Sequence, residues 1–186
     1  MTLGDTQNLQ RAILDNAGYA IIATTTGGTI ISFNPAAERM LGYRADELVG
    51  KETPACFHVL DEVVRRAGEF SAELGERIEP GFEVFVAKAR RDLPNEHEWI
   101  YVHRDGRRFP VLLSVTALRD SGGAINGFLG MARDITEMRE AQRALAEVSN
   151  MQRAILENAG YAIVACTTEG TILSFNPAAE RMLGYR

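Results

Sequence analysis

Residues 10–44, QRAILDNAGYAIIATTTGGTIISFNPAAERMLGYR, return almost unchanged as residues 152–186, QRAILENAGYAIVACTTEGTILSFNPAAERMLGYR. Only five of the 35 positions differ: Asp15/Glu157, Ile22/Val164, Thr24/Cys166, Gly27/Glu169 and Ile31/Leu173. Chance does not produce such a match, so the chain carries a tandem duplication whose copies start 142 residues apart. One unit therefore fills most of the 186 residues, and the second copy stops in its first quarter. The expectation is a fragment of a longer array: one complete domain, a connecting segment and the start of another.

Composition narrows the class. Hydrophobic residues make up 46% and charged residues 24%, a soluble globular mixture that excludes a disordered tail or a fibre. The net charge of −5 opposes the sign a nucleic-acid binder needs, and no nucleic-acid partner is expected. Two cysteines, Cys56 and Cys166, with no Cys-x-x-Cys spacing argue against a disulfide framework or a zinc knuckle and for a reducing compartment. The N-terminus lacks the basic start and apolar core of a signal peptide, and no apolar run reaches membrane-spanning length. A cytoplasmic location without membrane contact by this segment follows as an expectation, although the parent could be membrane-anchored.

Along the chain, Leu9, Ala12, Ile13 and Ala17 have helical spacing up to Gly18. Tyr19–Thr24 and Thr29–Phe33 read as a hairpin across a Gly-containing turn. Asn34-Pro35 opens a helix that Gly42 ends, and Ala45–Leu48 adds one turn. Val59, Leu60, Val63, Val64, Ala67, Phe70 and Leu74 mark one face of a longer helix, and Phe82–Leu93 favours helix again. Three alternating segments follow, 98–103, 109–117 and 124–133, joined by Asp105-Gly106 and Ser121-Gly122-Gly123, as an antiparallel meander. After Asp134-Ile135-Thr136 a charged helix places Met138, Leu145 and Gln152, and Ala141, Val148 and Ile155, at seven-residue intervals. The prediction is an α+β domain: a five-stranded antiparallel sheet with helices packed on one face, followed by a C-terminal linker helix. Its divisions are 1–18 (N-terminal helix), 19–136 (the domain), 137–157 (linker helix) and 158–186 (truncated second copy).

These residues resemble the PAS sensory domain with its C-terminal PAC segment. The resemblance rests on GTIISFNPAAERMLGYRADELVGK and on YVHRDGRRFPVLLSVTALRDSGGAINGFLGMARDIT, with its Arg-Asp-Gly turn, Phe-Pro-Val-Leu entry and closing Asp-Ile-Thr. It covers about residues 10–150 and implies the PAS fold. It also implies a sensory and dimerisation module within a larger histidine kinase, diguanylate cyclase or chemoreceptor. The signal would leave through Asp134, Ile135 and Thr136 into the helix bearing Met138, Ala141, Leu145 and Val148.

Catalytic constellations are thin. There is no P-loop, Gly-x-Ser-x-Gly, His-Glu-x-x-His, kinase phosphoacceptor or Gly-Gly-Asp-Glu-Phe motif, so no enzyme activity is expected of these residues. The carboxylate neighbours Asp61/Glu62 and Glu96/Glu98 read as solvated. The flavin-binding, light-sensing version of the fold uses Asn-Cys-Arg-Phe-Leu-Gln; Cys56 lies in Pro-Ala-Cys-Phe-His, departs from it, and reads as a small buried hydrophobe. His58, just before the 59–74 helix, is the one serious candidate for a haem ligand, with a helix-start or surface role as its plain alternative. No metal site is expected and the cofactor is left unknown, with none as the first expectation. A cavity between sheet and helices would be lined by Ile21 and Ala23, by Phe82, Phe85 and Val86, and by Leu113, Val115, Phe128 and Leu129, residues equally needed as core. Asn34 serves as helix cap or ligand contact, the cap being favoured. The expected partners are a second copy through the N-terminal and linker helices, a small-molecule ligand, and exchange of 152–186 between chains. The alternative functions are a haem- or flavin-binding redox or gas sensor and a ligand-free structural spacer in a PAS array.

Overall fold

The computed structural model describes residues 18–184, in two compact units that meet at Thr136/Glu137. The N-terminal helix expected over residues 1–18 lies outside the described residues, Gly18 apart. In the first unit, β1 (Ala20–Thr24) and β2 (Ile30–Phe33) form the expected hairpin. After the connecting helices, β3 (Glu96–Val102), β4 (Arg108–Arg119) and β5 (Ile125–Asp134) form the meander. All pairs are antiparallel, in the order β2-β1-β5-β4-β3, so the first and last strands of the domain lie side by side at the centre. Ile22 pairs with Gly130 and Thr24 with Phe128 across that junction.

Alternation on β3 and β4 reads directly into burial: Trp99, Tyr101, Phe109, Val111, Leu113 and Val115 all face the core. On β2 a bulge after the pair Ala23↔Ser32 sets Ile30 opposite Thr24, which turns both Ile30 and Phe33 inward.

The helices lie between β2 and β3 in sequence and cover the inner face. Helix α1 (Pro35–Leu41) starts at Asn34, whose side-chain oxygen accepts from Ala37 N at 2.9 Å, and ends at Gly42, left-handed at φ 76°. A Cβ at Gly42 would also overlap the His103 ring. Helix α2 (Ala45–Leu48) is a single turn. Helix α3 (Leu60–Leu74) buries Val63, Ala67 and Phe70, one stripe at i, i+4, i+7. Leu60 and Val64, grouped with that face by spacing, are 71% and 50% exposed instead, because the stripe facing the sheet is only one residue wide. Glu62 does more than sit in solvent: its carboxylate accepts from Ile100 N at 2.8 Å and ties α3 to β3. The 82–93 segment is a short helix, α4 (Phe82–Val86), and a 3-10 turn (Ala89–Arg91). Asn95 holds α4 down, donating to Phe85 O at 2.7 Å.

The second unit holds α5 (Thr136–Asn158), the hairpin β6 (Val164–Cys166) and β7 (Ile172–Phe175), and α6 (Pro177–Leu183). Its hairpin repeats the first in register and bulge, Val164↔Phe175, Ala165↔Ser174 and Cys166↔Ile172. Asn176 repeats Asn34: it caps α6 through Ala179 N at 2.9 Å, accepts from Ile163 N at 2.8 Å and donates to Tyr161 O. Helix α5 has 23 residues, about 35 Å, and buries none of them. Leu145 (73% exposed), Val148 (57%) and Ile155 (60%) form a bare apolar stripe along it. No described helix is long and apolar enough to cross a membrane.

Candidate ligand cavity

A cavity of about 30 Å3 lies in the first unit between the inner face of the sheet and the covering turns. That is room for about two water molecules. Its floor is Ile22 and Thr24 of β1, Tyr101 of β3, Leu113 and Val115 of β4, and Phe128 and Gly130 of β5. Its cover is Pro54, Phe57 and His58 on one side and Phe82, Phe85 and Val86 of α4 on the other. No lining residue carries a charge at neutral pH.

His58 ends the 3-10 turn Pro54–Phe57 and forms an isolated backbone bridge with Tyr101, which draws its ring under the sheet. The ring stacks 4.2 Å from Phe85 and 4.8 Å from Tyr101, centroid to centroid. Nδ1 lies 2.7 Å from the Pro54 carbonyl oxygen. A carbonyl can only accept, so Nδ1 carries the proton and Nε2 is left a bare acceptor. Burial pushes the imidazole pKa down from 6.5 to about 4, so the ring is neutral at pH 7. Nε2 has no partner, and neither does Thr24 Oγ1. Leaving such a group unmade costs on the order of 1–3 kcal/mol, so both atoms favour a molecule that can complete them.

Six expected wall residues, Phe82, Phe85, Val86, Leu113, Val115 and Phe128, are at the cavity. Ile21, Ala23 and Leu129 are not. They point to the opposite face of the sheet, where Ala23 pairs with Leu129, and their neighbours Ile22, Thr24, Phe128 and Gly130 take the inner positions. Asn34 also lies away from the cavity: besides capping α1 it accepts from Ile21 N at 2.9 Å and donates to Tyr19 O at 3.0 Å, fastening helix to strand. His58 is a buried wall residue at 8% exposure, neither a surface nor a helix-start group. Cys56, read as buried, is exposed, because the 3-10 turn directs Phe57 inward in its place. Thr24 and Tyr101 were missed; a polar residue closing an apolar strand and a tyrosine in an alternating strand carry no mark of a cavity.

At the end of β5, Ile135 is fully buried and donates its N–H to Pro110 O at 3.1 Å. The Asp134 carboxylate accepts from Thr136 N at 2.8 Å and from Thr136 Oγ1 at 2.6 Å, starting α5. Phe128 and Gly130 on the cavity floor belong to the same strand. Met138, Ala141, Leu145 and Val148 follow on α5.

Residues 16–137 match a family model described as PAS domain. The chain belongs to the PAS domain family. A second PAS domain model matches residues 150–186, the partial repeat. Among curated proteins the chain is similar to the signal transduction histidine-protein kinase AtoS of Escherichia coli, 28% identical over 151 residues, covering 80% of this chain and 21% of that protein. The chain thus spans about a fifth of the length of the curated relatives it matches. Among solved structures it is similar to the PAS domain of a Colwellia psychrerythraea protein, with TM-score 0.55 and 21% identity over 72% of this chain and 99% of that one. It is also similar to the LOV protein of Rhodobacter sphaeroides, with TM-score 0.54 and 17% identity over 84% and 80%. At these identities the two structures show the fold alone.

The PAS cavity has neither the volume of a haem-sized group nor a thiol for flavin adduct chemistry. His58 offers a suitably prepared nitrogen, with Nδ1–H tied to a carbonyl and Nε2 free. A haem-sized macrocycle nevertheless finds no room in about 30 Å3 walled by the fully buried Phe57, Tyr101 and Phe128. Flavin photochemistry would need a thiol at the cavity, and Cys56 is not among its lining. Among the described residues no cluster of three His, Cys, Asp or Glu could hold a metal ion.

Proposed function

We propose that the chain is the sensory PAS module of a larger two-component signalling protein, one that reads occupancy of the inner cavity and passes it to α5. The observation that carries this reading is the continuity of β5. Phe128 and Gly130 form part of the cavity floor, and Asp134 starts α5 a few residues on. A molecule that moves the floor moves the base of that helix, and its differential affinity for two arrangements of the strand end sets the size of the response. The apolar stripe of α5 supplies the output: Leu145, Val148 and Ile155, three and seven residues apart, fit the two apolar positions of a heptad against a paired helix from a second copy. The catalytic step belongs to another part of the longer protein, in the cytoplasm. Inserting one to four residues after Ala146 rotates Val148 and Ile155 relative to Leu145 and Asp134 and should change output of that protein in a length-dependent way. Output indifferent to all four insertions would overturn the relay.

A further inference from the structure

The duplicated segment contains its own comparison. Of its described residues in the first copy only Ile22 and Thr24 line the cavity, and both are among the five positions at which the copies differ. The buried residues that build the core, Ala20, Ile30, Phe33, Ala37 and Leu41, recur unchanged as Ala162, Ile172, Phe175, Ala179 and Leu183. Gly27/Glu169 lies in an exposed turn and Ile31/Leu173 is at least half exposed in both copies. Of the differing positions described in the first copy, the two that are buried, Ile22 and Thr24, both lie on the cavity floor. Thr24/Cys166 replaces a hydroxyl and a γ-methyl by a single thiol, and Ile22/Val164 removes one methylene, so the floor changes modestly in size while its hydrogen-bonding chemistry changes.

We propose that Thr24 and His58 form the polar end of a site for a small neutral molecule with an apolar body and one N–H or O–H donor, and that Thr24 sets the ligand specificity of this copy against the second. The inference rests on the ligand-sensing reading above. The bare Nε2 of His58 can only accept, which requires a donor on the ligand. The Thr24 hydroxyl can give or take a second hydrogen bond, and a thiol at the same place does both weakly. The uncharged aromatic walls disfavour an ion. Phe82 is the only aromatic wall residue left partly exposed, and its ring is the one able to yield to a body larger than two waters.

Titration of the full chain by NMR with pyrazole, which carries one N–H donor and one acceptor nitrogen, and with 1-methylpyrazole, which lacks the donor, tests this. The expected result is saturable shifts at Thr24, Phe128 and Gly130 and at His58 Nε2 for pyrazole, with methylation weakening binding by about three- to tenfold. Thr24→Cys and Thr24→Val should each weaken pyrazole by a similar factor, in chains whose spectra show an intact fold. Equal affinity for the two compounds overturns the donor requirement. Unchanged pyrazole affinity in both Thr24 variants overturns the specificity role while leaving the cavity a binding site. No saturable shift with either compound overturns the cavity reading itself.

Discussion

Replacing His58 by phenylalanine removes one titratable group from the cavity wall and should flatten the response of stability to acid. In the folded chain burial holds the imidazole pKa at about 4, against 6.5 for the unburied group. Between those values the unfolded chain binds a proton that the folded chain refuses. The stabilisation is therefore complete above about pH 7 and is lost as pH falls through 6.5 towards 4. Full protonation is worth about 3 kcal/mol, of which ~2 kcal/mol is already lost at pH 5. Urea unfolding of wild type and His58→Phe at pH 7.5 and pH 5 measures the term as a double difference, which cancels the other histidines and the carboxylates. The variant should lose ~2 kcal/mol less than wild type over that interval. Equal losses would mean that the ring takes up its proton inside the fold, and the assignment of Nε2 as a bare buried acceptor would fail.

Asn34→Ala removes the α1 cap and both ties to β1, so the first domain should lose about 2–3 kcal/mol in urea unfolding; Asn176→Ala should leave that transition unmoved. Gly127→Ala would drive a Cβ into the Thr24 carbonyl oxygen and should cost about 2 kcal/mol or more, whereas Gly130→Ala meets only ordinary contacts and should keep the fold while reducing pyrazole binding. Leu145→Asp and Val148→Asp on α5 should shift sedimentation equilibrium towards monomer without altering unfolding of the first domain. Dimerisation unaffected by either change would place the contact elsewhere.

The sheet, the hairpins and both caps were legible because each has a local cause. Asn before Pro starts a helix, Gly takes the left-handed position at its end, and strict alternation on β3 and β4 separates two faces. Half of the cavity was legible for the same reason, through Leu113 and Val115. β1 and β5 were not. Ala20-Ile21-Ile22-Ala23 and Phe128-Leu129 are apolar on both faces, and no period of two can say which residue points inward. The register between β1 and β5 decides it, and those strands lie a hundred residues apart. His58 was placed by its bridge to Tyr101, a contact 43 positions away that its neighbours do not announce.

The duplication separates local from tertiary causes. In both copies the same words give the same hairpin register, the same bulge, the same three Asn bonds and the same left-handed Gly, φ 76° at Gly42 and 73° at Gly184. These follow from short-range sterics and hydrogen bonds and need nothing beyond the segment. Burial does not follow. Ile30 and Leu41 are fully buried, but Ile172 and Leu183 are 55% and 50% exposed, because in the described residues only the first copy has β3, β4 and β5 to pack against. The sequence by itself determined the local geometry of each element. Only the tertiary structure made Ile22 and Thr24 a cavity floor and His58 its acceptor, because the other walls come from strands and turns distant in sequence.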